Sequence, residues 1–270
     1  MPGQAQVRIR NHAALLVLLG CAVIAWYFTI REFGGMPPGP GTMGFGLARF
    51  LAAWTLMMAA MMLPSLAPLT AVYLRSIRAT RSAPGRAART AALVIGYLLA
   101  WAAFGAIAFA VAALAAELAM RAPEAAPWVG AGVVAAAGIY QLTPFKDFCL
   151  RHCRSPVAFL LHVAGYKGPL RDIRVGLYHG LYCIGCCWGL MVVLTAVGVM
   201  NLAWMGIIAV AVLLEKTWRQ GRTLSRFIGV ALLIFACFVP ANPALLPGLY
   251  ISSGMEALGP VLAAYAGPAA

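Results

Sequence analysis

From Val175 to Leu214 the chain reads VGLYHGLYCIGCCWGLMVVLTAVGVMNLAWMGIIAVAVLL, a stretch of forty residues without a single Asp, Glu, Lys or Arg. A helix needs about 20 apolar residues to cross the hydrocarbon of a bilayer, so this stretch predicts two spans. Gly198–Val199–Met200–Asn201 is the natural turn between them, because Gly and Asn tolerate the backbone that a tight turn requires.

The same pattern extends outward. Of the 270 residues 63% are hydrophobic and only 10% are charged, with mean hydropathy +0.88. A soluble domain carries about 25% charged residues. Too little polar surface is left to cover a water-soluble core, whereas a bilayer removes that demand. The expected fold is all-α, a polytopic transmembrane helical bundle forming one integral membrane domain over residues 1–270. About seven spans are expected, near residues 12–30, 45–74, 90–119, 128–143, 175–199, 202–216 and 224–247. The span at 128–143 is short. Leu18–Leu19–Gly20–Cys21 resembles a lipoprotein cleavage box behind Arg8 and Arg10. The apolar run continues through Ile30, however, so an uncleaved first span is expected.

Charge sets the orientation. With the N-terminus inside, segments 1–11, 75–89, 144–174 and 216–226 carry 17 of the 20 basic residues, and only Arg31, Arg49 and Arg121 lie outside. That asymmetry predicts a cytoplasmic N-terminus, and an extracytoplasmic tail over 248–270. The net charge of +13 does not point to nucleic acid, since the arginines are clustered between apolar runs and no basic domain is left over. Seven cysteines, several within apolar runs, do not fit a secreted disulfide scaffold.

Four places could carry chemistry. In Met57–Met58–Ala59–Ala60–Met61–Met62, the i,i+4 pairs form one thioether stripe. Thioethers are soft donors that suit Cu(I), although Met also serves as flexible filler in helix packing. Pro64 and Pro68 follow and tend to kink this span. In the fifth span, His179, Cys183, Cys186 and Cys187 stand at i, i+4, i+7 and i+8 on one face, and Met191 lies one turn on. Three thiols and an imidazole suit a soft metal, against the plainer reading of cysteines as small core residues. Gly185 and Gly189 fall on roughly the opposite face, where a small-residue pair lets another helix approach.

The third place is Cys149 and Cys153, with His152 between them, expected on a cytoplasmic loop. Lys146, Arg151 and Arg154 flank these thiols and would raise their thiolate fraction. The fourth is Glu215–Lys216, read as an ion pair capping the sixth span. His12 reads as a marker of the membrane edge. No intramembrane pair of carboxylates is present for a hydrolase, and no intramembrane charge is expected, which removes proton-coupled mechanisms that need a mid-membrane carboxylate. With the second and fifth spans as neighbours, thiols, imidazole and thioethers would form one chain of soft donors from the cytoplasm to mid-bilayer.

Several of these blocks resemble one family. They are Met58–Ala59–Ala60–Met61–Met62–Leu63–Pro64–Ser65, Tyr140–Gln141–Leu142–Thr143–Pro144 leading to Cys149 and to Cys153–Arg154–Ser155–Pro156, and Gly180–Leu181–Tyr182–Cys183–Ile184–Gly185–Cys186–Cys187–Trp188. Gly198–Val199–Met200–Asn201, Trp204–Met205 and Glu215–Lys216 belong to the same pattern. The resemblance, over about residues 54–240, is to the bacterial DUF2182-type predicted metal-binding integral membrane proteins. Some of those are regarded as membrane copper chaperones that help load copper oxidases. It implies a multi-pass protein of the bacterial inner membrane that handles copper.

The leading expectation is a non-enzymatic membrane protein that binds Cu(I) and passes it to a copper-requiring acceptor protein. Cys183, Cys186 and Cys187 would be the main ligands, aided by His179, with Cys149 and Cys153 as the cytoplasmic uptake or release site. Met58, Met61, Met62, Met191 and Met200 would be exchangeable relay ligands. Zn(II) remains an alternative through thiolate and imidazole, though thioethers are poor zinc ligands. A second reading is a thiol–disulfide oxidoreductase using Cys183/Cys186 and Cys149/Cys153. A third is an apolar-solute permease whose cysteines only pack. The chain has no Gly-x-Ser-x-Gly motif for a hydrolase and no nucleotide-binding loop for an ATP-driven pump.

Overall fold

The computed structural model describes residues 3–36, 41–42, 44–77, 82–199 and 201–249, with side chains from Leu16 onward. Every regular element among them is helical: α1 (Gly3–Phe33), α2 (Leu47–Ser76), α3 (Ala83–Arg121), α4 (Ala126–Leu142), α5 (Pro144–Arg154), α6 (Pro156–His162), α7 (Arg171–Ala196), α8 (Leu202–Thr217) and α9 (Gly221–Phe238). A single 3-10 turn follows at Pro243–Leu245. His12 lies where side chains are not described, and Met200 and the 250–270 tail lie outside the described residues.

Five helices are long and apolar enough to cross a membrane: Leu16–Phe33 of α1, α2, α3, α7 and α9. A sixth arises if α4 and α5 count as one broken span, with 62° between them. Seven were expected, and length makes the difference. α8 has 16 residues, or about 24 Å at 1.5 Å per residue, against a hydrocarbon core of about 30 Å.

Local chemistry explains the breaks. Gly198 turns the chain between α7 and α8 with φ +96°, and the Asn201 side chain accepts from the Trp204 N–H at 3.2 Å to cap α8. That is the turn expected at 198–201. At Thr143–Pro144 the residue before proline is pushed out of the helical region, and Thr143 is extended (φ −74°, ψ 149°). Its hydroxyl then accepts from the Lys146 N–H, with Pro144 in the first turn, so a new helix starts in a new direction. The segment expected to be a cytoplasmic loop is therefore α5, an amphipathic helix that buries Lys146, Cys149, Leu150 and Cys153. α2 runs through Pro64 and Pro68 as one helix.

α7 is the hub of the bundle. It packs along α3 and receives α5 and α4 on another side, while α2 packs mainly on α1, α3 and α8. Small residues set the α3–α7 approach. A β-carbon at Gly176 would overlap the Leu93 carbonyl oxygen, and one at Gly96 would overlap that of Ile173. The Trp54 indole N–H donates to the Trp101 carbonyl at 3.0 Å and ties α2 to α3. The two ends of this arrangement meet where the Tyr73 hydroxyl of α2 donates to Asp172 of α7 at 2.6 Å, with Arg89 of α3 paired to the same carboxylate at 2.8 Å.

Overpacking a tight helix contact typically costs about 1–3 kcal/mol. Gly176→Leu is therefore expected to lower the thermal midpoint in detergent clearly. Gly132→Leu, where a β-carbon meets nothing within 4 Å, is expected to leave it nearly unchanged. Equal midpoints for the two variants would show that the α3–α7 seam is not tight.

Candidate metal centre

Three thiols of α7 come together. The Sγ atoms of Cys183, Cys186 and Cys187 all lie within 4.8 Å of one another, and each residue is at most 1% exposed. Their spacing explains this, because positions i, i+3 and i+4 share one helix face. The Cys186 and Cys187 thiols donate back to the Cys183 carbonyl, at 3.1 and 2.8 Å. Donors about 2.3 Å from a common ion lie about 4 Å apart, so small side-chain rotations would close this triad on a metal.

A fourth and a fifth thiol arrive from α5. Cys153 Sγ is 3.8 Å from Cys186 Sγ, and Cys149 Sγ rests against Gly185, where a β-carbon would fall 2.8 Å from it. Gly189 faces Tyr140 and Ala137 of α4. The glycines thus admit neighbouring helices as expected, and one of those neighbours carries thiols. The cations that flank Cys149 and Cys153 do not turn toward them. Lys146 pairs with Glu215. Arg154 donates to the carbonyls of Glu215, Trp218 and Arg219 at 3.0, 2.7 and 3.2 Å. Arg151 reaches the Asp147 carbonyl at 3.3 Å. The expectation that they raise the thiolate fraction is corrected on that geometry: Lys146 and Arg154 fasten α5 to the end of α8, and Arg151 stays within α5.

The polar groups around the triad were partly misassigned from sequence. Glu215 does not pair with Lys216. It pairs with Lys146 at 2.8 Å, and the two side chains are 1% and 0% exposed. Gln141 joins both, donating to Glu215 at 3.3 Å and accepting from Lys146. Lys216 instead donates to Cys183 Sγ at 2.8 Å and to Ser65 Oγ at 3.3 Å. The Tyr97 hydroxyl lies 3.0 Å from Cys183 Sγ. Two ammonium groups and a carboxylate are therefore buried in the bundle, where no interior charge was expected beyond a helix cap. Lys146, Glu215 and Lys216 could have been flagged, because charges in an apolar setting are costly and usually have work to do. Tyr97 and Ser65 carry no such mark in the sequence.

His179 sits one turn before Cys183, 3% exposed, beside Phe159 and Tyr97 with ring centroids 4.9 and 6.0 Å away. Its Nδ1 is buried without a hydrogen-bond partner, and it is not one of the tight thiol group. Met58, Met61 and Met62 are buried on α2, and Met191 is buried on α7. α2 and α7 run antiparallel from the Tyr73–Asp172 bond. Met62 and Met58 stand eleven and fifteen residues before Tyr73, and Cys183 and Cys187 eleven and fifteen after Asp172, so they share a level. The second and fifth spans are not the packed neighbours that the chain of soft donors called for: α2 and α7 share little direct packing, and Lys216 of α8 reaches between them, touching both Ser65 and Cys183.

Breaking a buried ion pair from one side leaves an uncompensated charge and costs about 3–5 kcal/mol. Lys146→Met alone is expected to destabilise strongly in detergent melts, and Lys146→Met with Glu215→Leu much less. A double variant as unstable as the single one would show that the pair is not the fastening.

A family model described as PpoB2, copper chaperone, matches residues 51–239. Comparison with curated proteins and with solved structures gave no match. The matched segment holds every thiol of the cluster, the α2 methionines and the buried charges. The chain belongs to the PpoB2 copper chaperone family.

Proposed function

We propose that this chain is an integral membrane protein, without catalytic activity, that binds Cu(I) at the α7 triad and hands it to a copper-requiring acceptor protein. The observation that carries this reading is the mutual approach of Cys183, Cys186 and Cys187 within 4.8 Å, in a chain of a copper chaperone family. Thiolates and thioethers are the donors that select Cu(I). Three thiolates around Cu(I) carry a net charge of −2, and the Lys216 ammonium at 2.8 Å offsets half of it without a counter-ion from water.

In this reading Cys183, Cys186 and Cys187 are the holding ligands and His179 is a neighbouring donor. Cys153, in sulfur contact with Cys186, and Cys149 behind it form the exchange route at the α5 side. Met58, Met61, Met62, Met191 and Met200 are weak relay donors, which allow transfer without a deep trap. Copper is the cargo, and Zn(II) is the alternative cargo that thiolates also hold. The proposed setting is the bacterial inner membrane, with seven helical spans including the short α8 and the N-terminus cytoplasmic. This places α5 and the basic 144–174 segment on the cytoplasmic side.

The contact between Cys153 and Cys186 also favours a second reading, a thiol–disulfide oxidoreductase. Metal stoichiometry separates the two. Detergent-purified protein is loaded with Cu(I) under reductant and desalted, as wild type, as the Cys183/Cys186/Cys187→Ser triple variant and as Cys153→Ser. Wild type is expected to retain about one Cu(I) per chain, the triple variant none, and Cys153→Ser to hold copper but release it to a chelator at an altered rate. Equal copper on wild type and triple variant would overturn the triad. No copper on wild type, with a Cys153–Cys186 disulfide forming on mild oxidation, would bring the oxidoreductase reading forward.

A further inference from the structure

Far from the thiols, at the end of the bundle where Tyr73 meets Asp172, lies a cavity of about 540 Å³. It is lined by Gly85, Arg89, Tyr166, Lys167, Arg171 and Asp172, with Gly168 and Pro169 in the turn between. Three cations face one carboxylate there. That carboxylate is already taken: Tyr73 donates to Oδ1 at 2.6 Å, and Arg89 donates to Oδ2 and Oδ1 at 2.8 and 2.9 Å. Three cations against one carboxylate leave the lining with two positive charges in excess. The Nε of Arg171 is buried and has no hydrogen-bond partner.

Two helix starts converge on the same place. Gly85 is in the first turn of the 39-residue α3, and Arg171 and Asp172 open the 26-residue α7. Neither Ser82 nor Leu170 supplies a side-chain cap. Helix N-termini present unpaired N–H groups and a positive dipole end, which favour anions. A topological need for basic residues on this side would be met by any exposed Lys or Arg. It would not require a concave site that gathers three cations beside two helix starts whose N-cap side chains leave the first-turn N–H groups free.

We propose that this cavity is a phosphate-group site, in which Arg171 and Lys167 hold the oxyanion and the first turns of α3 and α7 face it. The group can come from free phosphate or from the headgroup of an anionic phospholipid, for which basic pockets between membrane helices are suited. At about 30 Å³ per water in the liquid, the space takes one phosphate group with solvent beside it. The Arg89–Asp172 pair is the floor of the site and keeps α2, α3 and α7 together whether or not it is filled.

The test uses the full chain in detergent, as wild type, Lys167→Gln and Arg171→Gln, in two arms. One arm titrates inorganic phosphate against chloride of matched ionic strength. The other titrates phosphatidylglycerol in mixed micelles against phosphatidylcholine. Thermal midpoint and, for lipid, the bound stoichiometry by native mass spectrometry are read. A saturable rise in midpoint is expected for wild type in at least one arm, with the midpoint of the titration weakened about tenfold or more in each variant. A response to both ligands assigns the site to the phosphate group itself, and a response to phosphatidylglycerol alone assigns it to the lipid headgroup. No saturable response in either arm, or a response unchanged in Lys167→Gln, overturns the proposal. Lys167 is exposed, so its variant tests the site even if Arg171→Gln fails to fold. Copper retention is expected to be equal in all three proteins, which separates this site from the thiol triad.

Discussion

The buried ion pair between Lys146 and Glu215 is the interaction on which the centre rests. α5 is a short, charged helix that buries only Lys146, Cys149, Leu150 and Cys153. One of its inward residues is a lysine with no exposure. Burying such a residue is costly unless it is paired and hydrogen-bonded, and Glu215 at the end of α8 supplies the opposite charge. Arg154 on the last carbonyls of α8 and Asp147 on Arg222 at 2.7 Å complete the fastening. Once α5 is held there, Cys153 meets Cys186 and Cys149 settles on Gly185. The chain thus spends several of its few charges on joining a short polar helix to the ends of α8 and α9.

The soft donors and the hard charges are arranged in separate layers that meet at Lys216. In the proposed role the sulfur atoms would supply selectivity, since thiolate prefers Cu(I) to the hard cations that outnumber it. They bring excess negative charge, and an apolar interior cannot screen it. Lys216 faces Cys183 on one side and Ser65 on the other, so compensation would come from α8 while the proposed ligands sit on α7 and α5. Holding, balancing and exchanging copper would then fall to different helices, and each role could be changed without dismantling the others.

Much of this was legible because helix periodicity is local. The face shared by Cys183, Cys186 and Cys187 follows from their spacing, and the turn at Gly198–Asn201 from residue type. Pro144 behind Thr143 is a helix start that could also have been read. The charged residues of 144–154 drew attention to a loop instead, although their alternation fits one wet and one buried face. What spacing could not supply were partners distant in sequence. Lys146 with Glu215, Lys216 with Cys183 and Cys153 with Cys186 are separated by 69, 33 and 33 residues. Adjacent residues on a helix point apart by about 100°, which is why Glu215 and Lys216 serve different neighbours.

The length of α8 has a consequence for the bilayer around it. Set in a membrane as proposed, a helix of about 24 Å is shorter than the hydrocarbon it must cross, and lipids beside a short span thin to match it. The thinning would fall on the side of the bundle where α8 ends in Glu215 and Lys216. Headgroups and water are drawn toward those residues, and the apolar barrier between the cytoplasm and the sulfur cluster narrows there. A cargo ion leaving the triad would cross a locally shallow dielectric step rather than half a bilayer. The brevity of one helix, as much as the donors on another, would set how readily copper can move.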